Sequence, residues 1–164
     1  MVSRWLSVAV LSISIGPAAL SAHAEIREPA TALLITVCIP VMTGNLSESQ
    51  AIRAARLHQT HPIWFPQSTP PGLRQYAGPY RGVSVVNLTD DSCLIHVQTG
   101  DYTTAFQELR ALTSERRWRL TAAAIPRHQV FCDPPGTVGV SAEANTNGTS
   151  YDLRVTRRPA FCSR

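Results

Sequence analysis

The chain has 164 residues, 44% of them hydrophobic and 16% charged, with a formal net charge of +4. That is enough length to bury a core unaided, and neither the charge nor the composition describes a disordered chain or a nucleic-acid-binding one. All 15 basic side chains are arginine; guanidinium forks suit carboxylate and phosphate recognition, while arginine-rich codon usage in a G+C-rich genome produces the same bias without any function.

The N-terminus reads as an export signal. Arg4 precedes an acid-free apolar stretch from Trp5 to Leu20, followed by Ser21-Ala22-His23-Ala24. This is the order of charged region, apolar region and small-residue cleavage site. The run is interrupted by serines, Gly16 and Pro17 and falls short of the ~20 residues of a spanning helix. Residues 1–24 are therefore expected to be removed as a signal peptide, leaving 25–164 as a single disulfide-braced domain with no stable membrane insertion, periplasmic or secreted. The four cysteines, Cys38, Cys93, Cys132 and Cys162, all follow the cleavage point, and in an exported chain an even count reads as two disulfides rather than a metal site.

Taken in chain order, Ala30, Leu33, Leu34 and Val37 recur at helical spacing behind Pro29, although the β-branched tail Ile35–Ile39 allows a strand there as well. Ser47-Glu48-Ser49-Gln50 has the form of a capping box before a short alanine-rich helix, Ala51 to His58. From His61 to Arg81 five prolines alternate with Trp64, Phe65, Tyr76 and Tyr80. That composition predicts an extended, partly rigid loop, whose aromatics either contact a partner or cover one edge of the core.

Gly82–Leu88 and the Cys93 strand form a hairpin across Thr89-Asp90-Asp91-Ser92. In the second strand Cys93, Ile95 and Val97 face the core and His96 the opposite side, so Cys93 and His96 cannot share one ion and the acidic pair belongs to the turn. Asp101 caps a helix over 101–114 whose stripe is Tyr102, Ala105, Phe106, Leu109 and Leu112. Period-two strands follow around Trp118–Ala122, Val138–Ala142 and Tyr151–Val155, the last two joined by a hairpin at Asn145-Thr146-Asn147-Gly148.

The expectation is an α+β domain of two layers: an antiparallel sheet of about five strands, one main amphipathic helix (101–114) on one face, and additional N-terminal helical segments. Hairpin geometry brings the Cys162 tail beside Cys132; pairing Cys132–Cys162 leaves Cys38–Cys93. The uncovered sheet face should carry His96, Arg119, Thr121, Ser141, Glu143, Asp152, Arg154 and Thr156. This face is either a polar binding surface with Arg119 and Arg154 as anion anchors and His96 as a pH-sensitive member, or a solvated face.

Cys38-Ile39-Pro40, the helix after it, the aromatic stretch ending in Tyr80-Arg81-Gly82, and Ser92-Cys93-Leu94-Ile95 leading to Asp101 together resemble a group of small exported proteobacterial proteins of uncharacterised function. The resemblance spans about residues 31–120 and stops short of the tail bearing Cys132 and Cys162. It implies an envelope location and a Cys38–Cys93 disulfide, and it supplies no activity.

No phosphate loop, nucleophile elbow, C-x-x-C or H-E-x-x-H pattern occurs, so no metal and no cofactor is expected. Two functions stay in play. One is a non-catalytic envelope protein of inhibitor or accessory type that binds a protein partner or envelope component, through Trp64, Phe65, Tyr76 and Tyr80 or through His96, Arg119 and Arg154. The other is a small periplasmic hydrolase without a sequence motif, with His96 and Asp152 or Glu143 as its acid and base.

Overall fold

A computed structural model describes residues 26–60, 70–121, 128–145 and 149–162. From Pro29 the backbone is helical without a break: Pro29–Leu33 (α1), a π-helical segment Leu34–Cys38, and Ile39–Thr43 (α2). The strand alternative for Ile35–Ile39 is thus not what forms. Pro40 explains the π segment. It has no N–H to offer the Thr36 carbonyl and its ring presses on that carbonyl; the preceding turn widens, and the Ile39 N–H bonds five residues back to Leu34. Gly44, at φ 77°, ends the helix in the left-handed region. Ser47 then caps Glu48–Ala54 (α3) in a complete capping box with Gln50.

Among the described residues the sheet has eight antiparallel strands, not about five: β1 (His58–Thr60), β2 (Arg74–Ala77), β3 (Val83–Leu88), β4 (Ser92–Val97), β5 (Arg119–Thr121), β6 (His128–Cys132), β7 (Val138–Ala144) and β8 (Tyr151–Arg157), in the order β1-β2-β3-β4-β8-β7-β6-β5. The strands missed by periodicity are β1, β2 and β6. The first is three residues long, and the second, Arg-Gln-Tyr-Ala, lies in the proline-rich stretch expected to be loop. In β6 the consecutive residues Val130, Phe131 and Cys132 are all buried, because both of its faces are covered, and no alternation survives to be read.

The helical face of the sheet is a set of cross-strand rows. Leu88, Cys93, Val155, Val140 and Phe131 lie opposite one another in sequence across five strands, and Tyr76, Val86, Ile95, Leu153 and Ala142 form the next row. All ten are buried; each large aliphatic among them contributes roughly 1.5–3 kcal/mol of transfer free energy. The helix Tyr102–Glu115 (α4) closes this core. Asp101 accepts from the Thr103 and Thr104 N–H groups at 2.9 and 3.2 Å, Ala105 and Leu109 are fully buried, and Phe106 and Tyr102 sit against Phe131 and Tyr151 at ring-centroid distances of 6.3 and 5.7 Å.

The disulfides are Cys38–Cys93 and Cys132–Cys162, the pairs reached from the sequence. The first ties the π-helical segment to the start of β4 inside the core. The second pins the short 3-10 turn Ala160–Cys162 to β6 on the other face, where Val130, Cys132 and Cys162 form a small separate apolar cluster. Gly139 makes room for that turn: a Cβ there would stand 2.7 Å from the Phe161 ring and 2.8 Å from Pro159. At the far end of β8, the Arg157 guanidinium donates to the Met42 and Val41 carbonyls at 3.0 and 3.2 Å, covering the exposed carbonyl end of α2.

Candidate functional site

The second sheet face carries the residues expected of it. His96, Asp152, Glu143 and His128 lie opposite one another across β4, β8, β7 and β6; Leu94, Arg154, Ser141, Val130 and Thr121 make the next row, and Ser92, Thr156, Gly139, Cys132 and Arg119 the third. The His96 Nδ1 is 2.7 Å from the Asp152 carboxylate, and both side chains are well exposed, at 46% and 39%. A shallow depression of about 190 Å³ adjoins them, reached also by Glu143, Asn145 and Ser150. Arg119 and Arg154 are exposed, three strands apart. This face is not wholly open, because the Pro159–Cys162 tail lies over Gly139 and Cys132. Among the described residues, no three His, Cys, Asp or Glu side chains are placed to hold a metal ion.

The aromatic segment behaves differently from the expected loop. Trp64 and Phe65 lie outside the described residues. Tyr76 is on β2, only 8% exposed, with its ring in the core. Tyr80 packs half-buried against the core and its hydroxyl donates to the Ala55 carbonyl at 2.9 Å. Both rings pack against the core, as the core-cover alternative has it. The Tyr76 hydroxyl donates to Glu48 Oε1 at 2.5 Å, and Arg74 Nε donates to both Glu48 oxygens at 2.8 and 3.0 Å while its Nη groups reach Asp90 at 3.3 Å. Burial, and then the bond to the Glu48 carboxylate, pushes the Tyr76 hydroxyl up to about 12. The same carboxylate raises Arg74. Both Glu48 oxygens are thus already hydrogen-bonded.

What Tyr76 does border is a groove of about 720 Å³ between α3 and the β1–β2 end of the sheet, a volume in the range of small-ligand and peptide clefts. Among the described residues its apolar surfaces come from Ile52, Leu57 and Tyr76, and Ser47, Glu48, Ser49, Arg53 and Gln59 also line it. Apart from Tyr76, these residues were invisible as a site. The capping box places Glu48 in the first turn of α3 and Ile52 one turn later on the same side, but the ring facing them is 28 residues further along the chain.

Among the described residues no helix is long and apolar enough to cross a membrane. Compared with known protein families, with curated proteins and with solved structures, the chain matches none of them.

Proposed function

We propose that the chain is a small exported envelope protein, non-catalytic, which binds a protein partner of the cell envelope in the manner of an inhibitor or accessory factor. Two disulfides suit an oxidising compartment, and the export pattern at residues 1–24 and the resemblance over residues 31–120 point the same way. The observation that carries the binding role is the groove beside α3: an apolar floor, a polar rim, and no titratable pair within it left free for chemistry, since Glu48 is held by Tyr76 and Arg74.

Cross-linking capture from periplasmic extract tests this. Ile52→Ser is expected to reduce capture at least tenfold at a melting temperature that retains the fold, whereas Arg119→Ala with Arg154→Ala alters only its salt dependence. Capture lost in the arginine pair and kept in Ile52→Ser would move the binding surface to the sheet face.

A second reading rests on the 2.7 Å contact between His96 and Asp152. A carboxylate on Nδ1 orients an imidazole whose other nitrogen is then available as a base, which is the arrangement a hydrolase would need. Turnover in an ester and amide substrate screen that disappears in His96→Ala would establish it; a wild-type chain inactive throughout the screen would remove it.

A further inference from the structure

We propose that the groove between α3 and β1 takes the carboxyl terminus of an extended peptide, added as a strand to the edge of β1. The inference rests on the groove being the binding surface proposed above and names what occupies it. Three features converge there.

The first is the edge. β1 is the last strand in the sheet order and pairs only with β2 among the described residues, so its outer backbone N–H and C=O groups face away from the sheet. An edge without a partner strand among the described residues is a template for an incoming strand. The second is the floor. Ile52 from α3, Leu57 at the entry to β1 and the Tyr76 ring meet beside that edge, so a strand laid along β1 directs alternate side chains into an apolar depression.

The third is charge. Arg53 stands on the rim next to Ile52, is exposed, and has no hydrogen-bond or ion-pair partner among the described residues. Among the described residues of the lining the one carboxylate, Glu48, is already bonded by Arg74 and Tyr76. Arg53 thus has no bonded counter-ion among the described residues and can pair with an incoming anion. Arg53 and Ile52 are consecutive residues, so the anion and the apolar side chain must be presented close together. A C-terminal residue does this, carrying its carboxylate and its side chain on one Cα. An acyl carboxylate would satisfy floor and arginine but leave the strand edge unused, and the amide-backbone requirement separates the two.

The probe is a fluorescein-labelled pentapeptide of alternating threonine and valine ending in leucine, tested against the intact protein by anisotropy in three forms: free acid, C-terminal amide, and free acid with alternate backbone nitrogens methylated. The free acid is expected to bind, with the amide and the N-methylated form each about tenfold weaker or worse. Arg53→Ala, an exposed change whose fold is checked by its melting temperature, is expected to bring free acid and amide to equal affinity. Equal binding of acid and amide to the wild-type chain overturns the inference. So does displacement of the peptide by decanoate at concentrations matching the peptide's own dissociation constant, which would make the groove an acyl-carboxylate site. Absence of peptide binding together with retained, Ile52-dependent capture of an envelope protein overturns the peptide inference and leaves the binding role standing; absence of both overturns the two together.

Discussion

Tyr76, which the sequence offers either as a contact aromatic or as core cover, is packed into the core and also borders the groove beside α3. Its hydroxyl is bonded to a carboxylate inside a partly buried network, so Tyr76→Phe is expected to cost about 1 kcal/mol or somewhat more, measured by urea unfolding at neutral pH. Its alkaline behaviour has a definite sign. The folded state holds the phenol proton more tightly than the unfolded chain, with the folded value near 12 against 10. The stabilisation is therefore fully present below pH 10 and is lost as pH rises from 10 towards 12. Tyr151, buried and surrounded by Glu28, Glu108 and Asp101, is pushed up further and acts in the same direction. In stability curves measured between pH 9 and 11.5, Tyr76→Phe and Tyr151→Phe should each flatten the decline; a wild-type curve level across that range would contradict both assignments.

At the scale of elements, the parts legible in the sequence are those whose signals are local. The Ser47–Gln50 box, the Asp101 cap with its apolar stripe, and the hairpin at Thr89–Ser92 all act within a few residues, and each forms as its pattern predicts; β7 and β8 pair antiparallel as expected, while residues 146–148 of the Asn145–Gly148 turn lie outside the described residues. The segments that escaped the reading are stabilised by distant partners. β1 and β2 are strands because β3 already offers a paired edge to β2, and β6 lost its alternation to a tail 30 residues away. The groove escaped for the same reason, whereas the His96–Asp152 row was visible because period-two patterning fixes which side chains share a face. The tail also supplies an element-scale prediction. In Gly139→Val the added atoms collide with Phe161 and Pro159, so the 3-10 turn must lift off β7. The expected loss is ~2 kcal/mol, and the Cys132–Cys162 bond should be reduced by dithiothreitol several times faster than in wild type while Cys38–Cys93 keeps its rate. Both bonds accelerating equally would mean global loosening rather than release of the tail.

For the whole molecule, the two cross-links act on different spans. Cys38–Cys93 closes 55 residues and Cys132–Cys162 closes 30; loop entropy assigns them ~4 and ~3.5 kcal/mol. The difference should widen in experiment, because Cys38 and Cys93 sit in the main core whereas, among the described residues, Cys132 and Cys162 share a small cluster with Val130 alone. Cys38→Ala with Cys93→Ala is expected to lower the melting temperature more than Cys132→Ala with Cys162→Ala, and thiol labelling of the denatured, unreduced wild-type chain should find no free sulfhydryl. Sequencing of the protein released from the envelope should begin at Glu25; a chain that retains Trp5 and stays with membranes would overturn the proposed export. The placement of the bridges also divides the chain into zones of different tolerance to proteases. A single cut anywhere from residue 39 to 92 leaves both pieces joined through Cys38–Cys93, and a cut from 133 to 161 leaves them joined through Cys132–Cys162. Between 94 and 131 no covalent strap exists, and a nick there makes two fragments united only by strand pairing and the core they share. A protease would therefore leave a molecule cut within either bridged span as one particle, whereas a cut in the stretch that contains α4, or ahead of Cys38 where α1 lies, is spanned by no covalent strap.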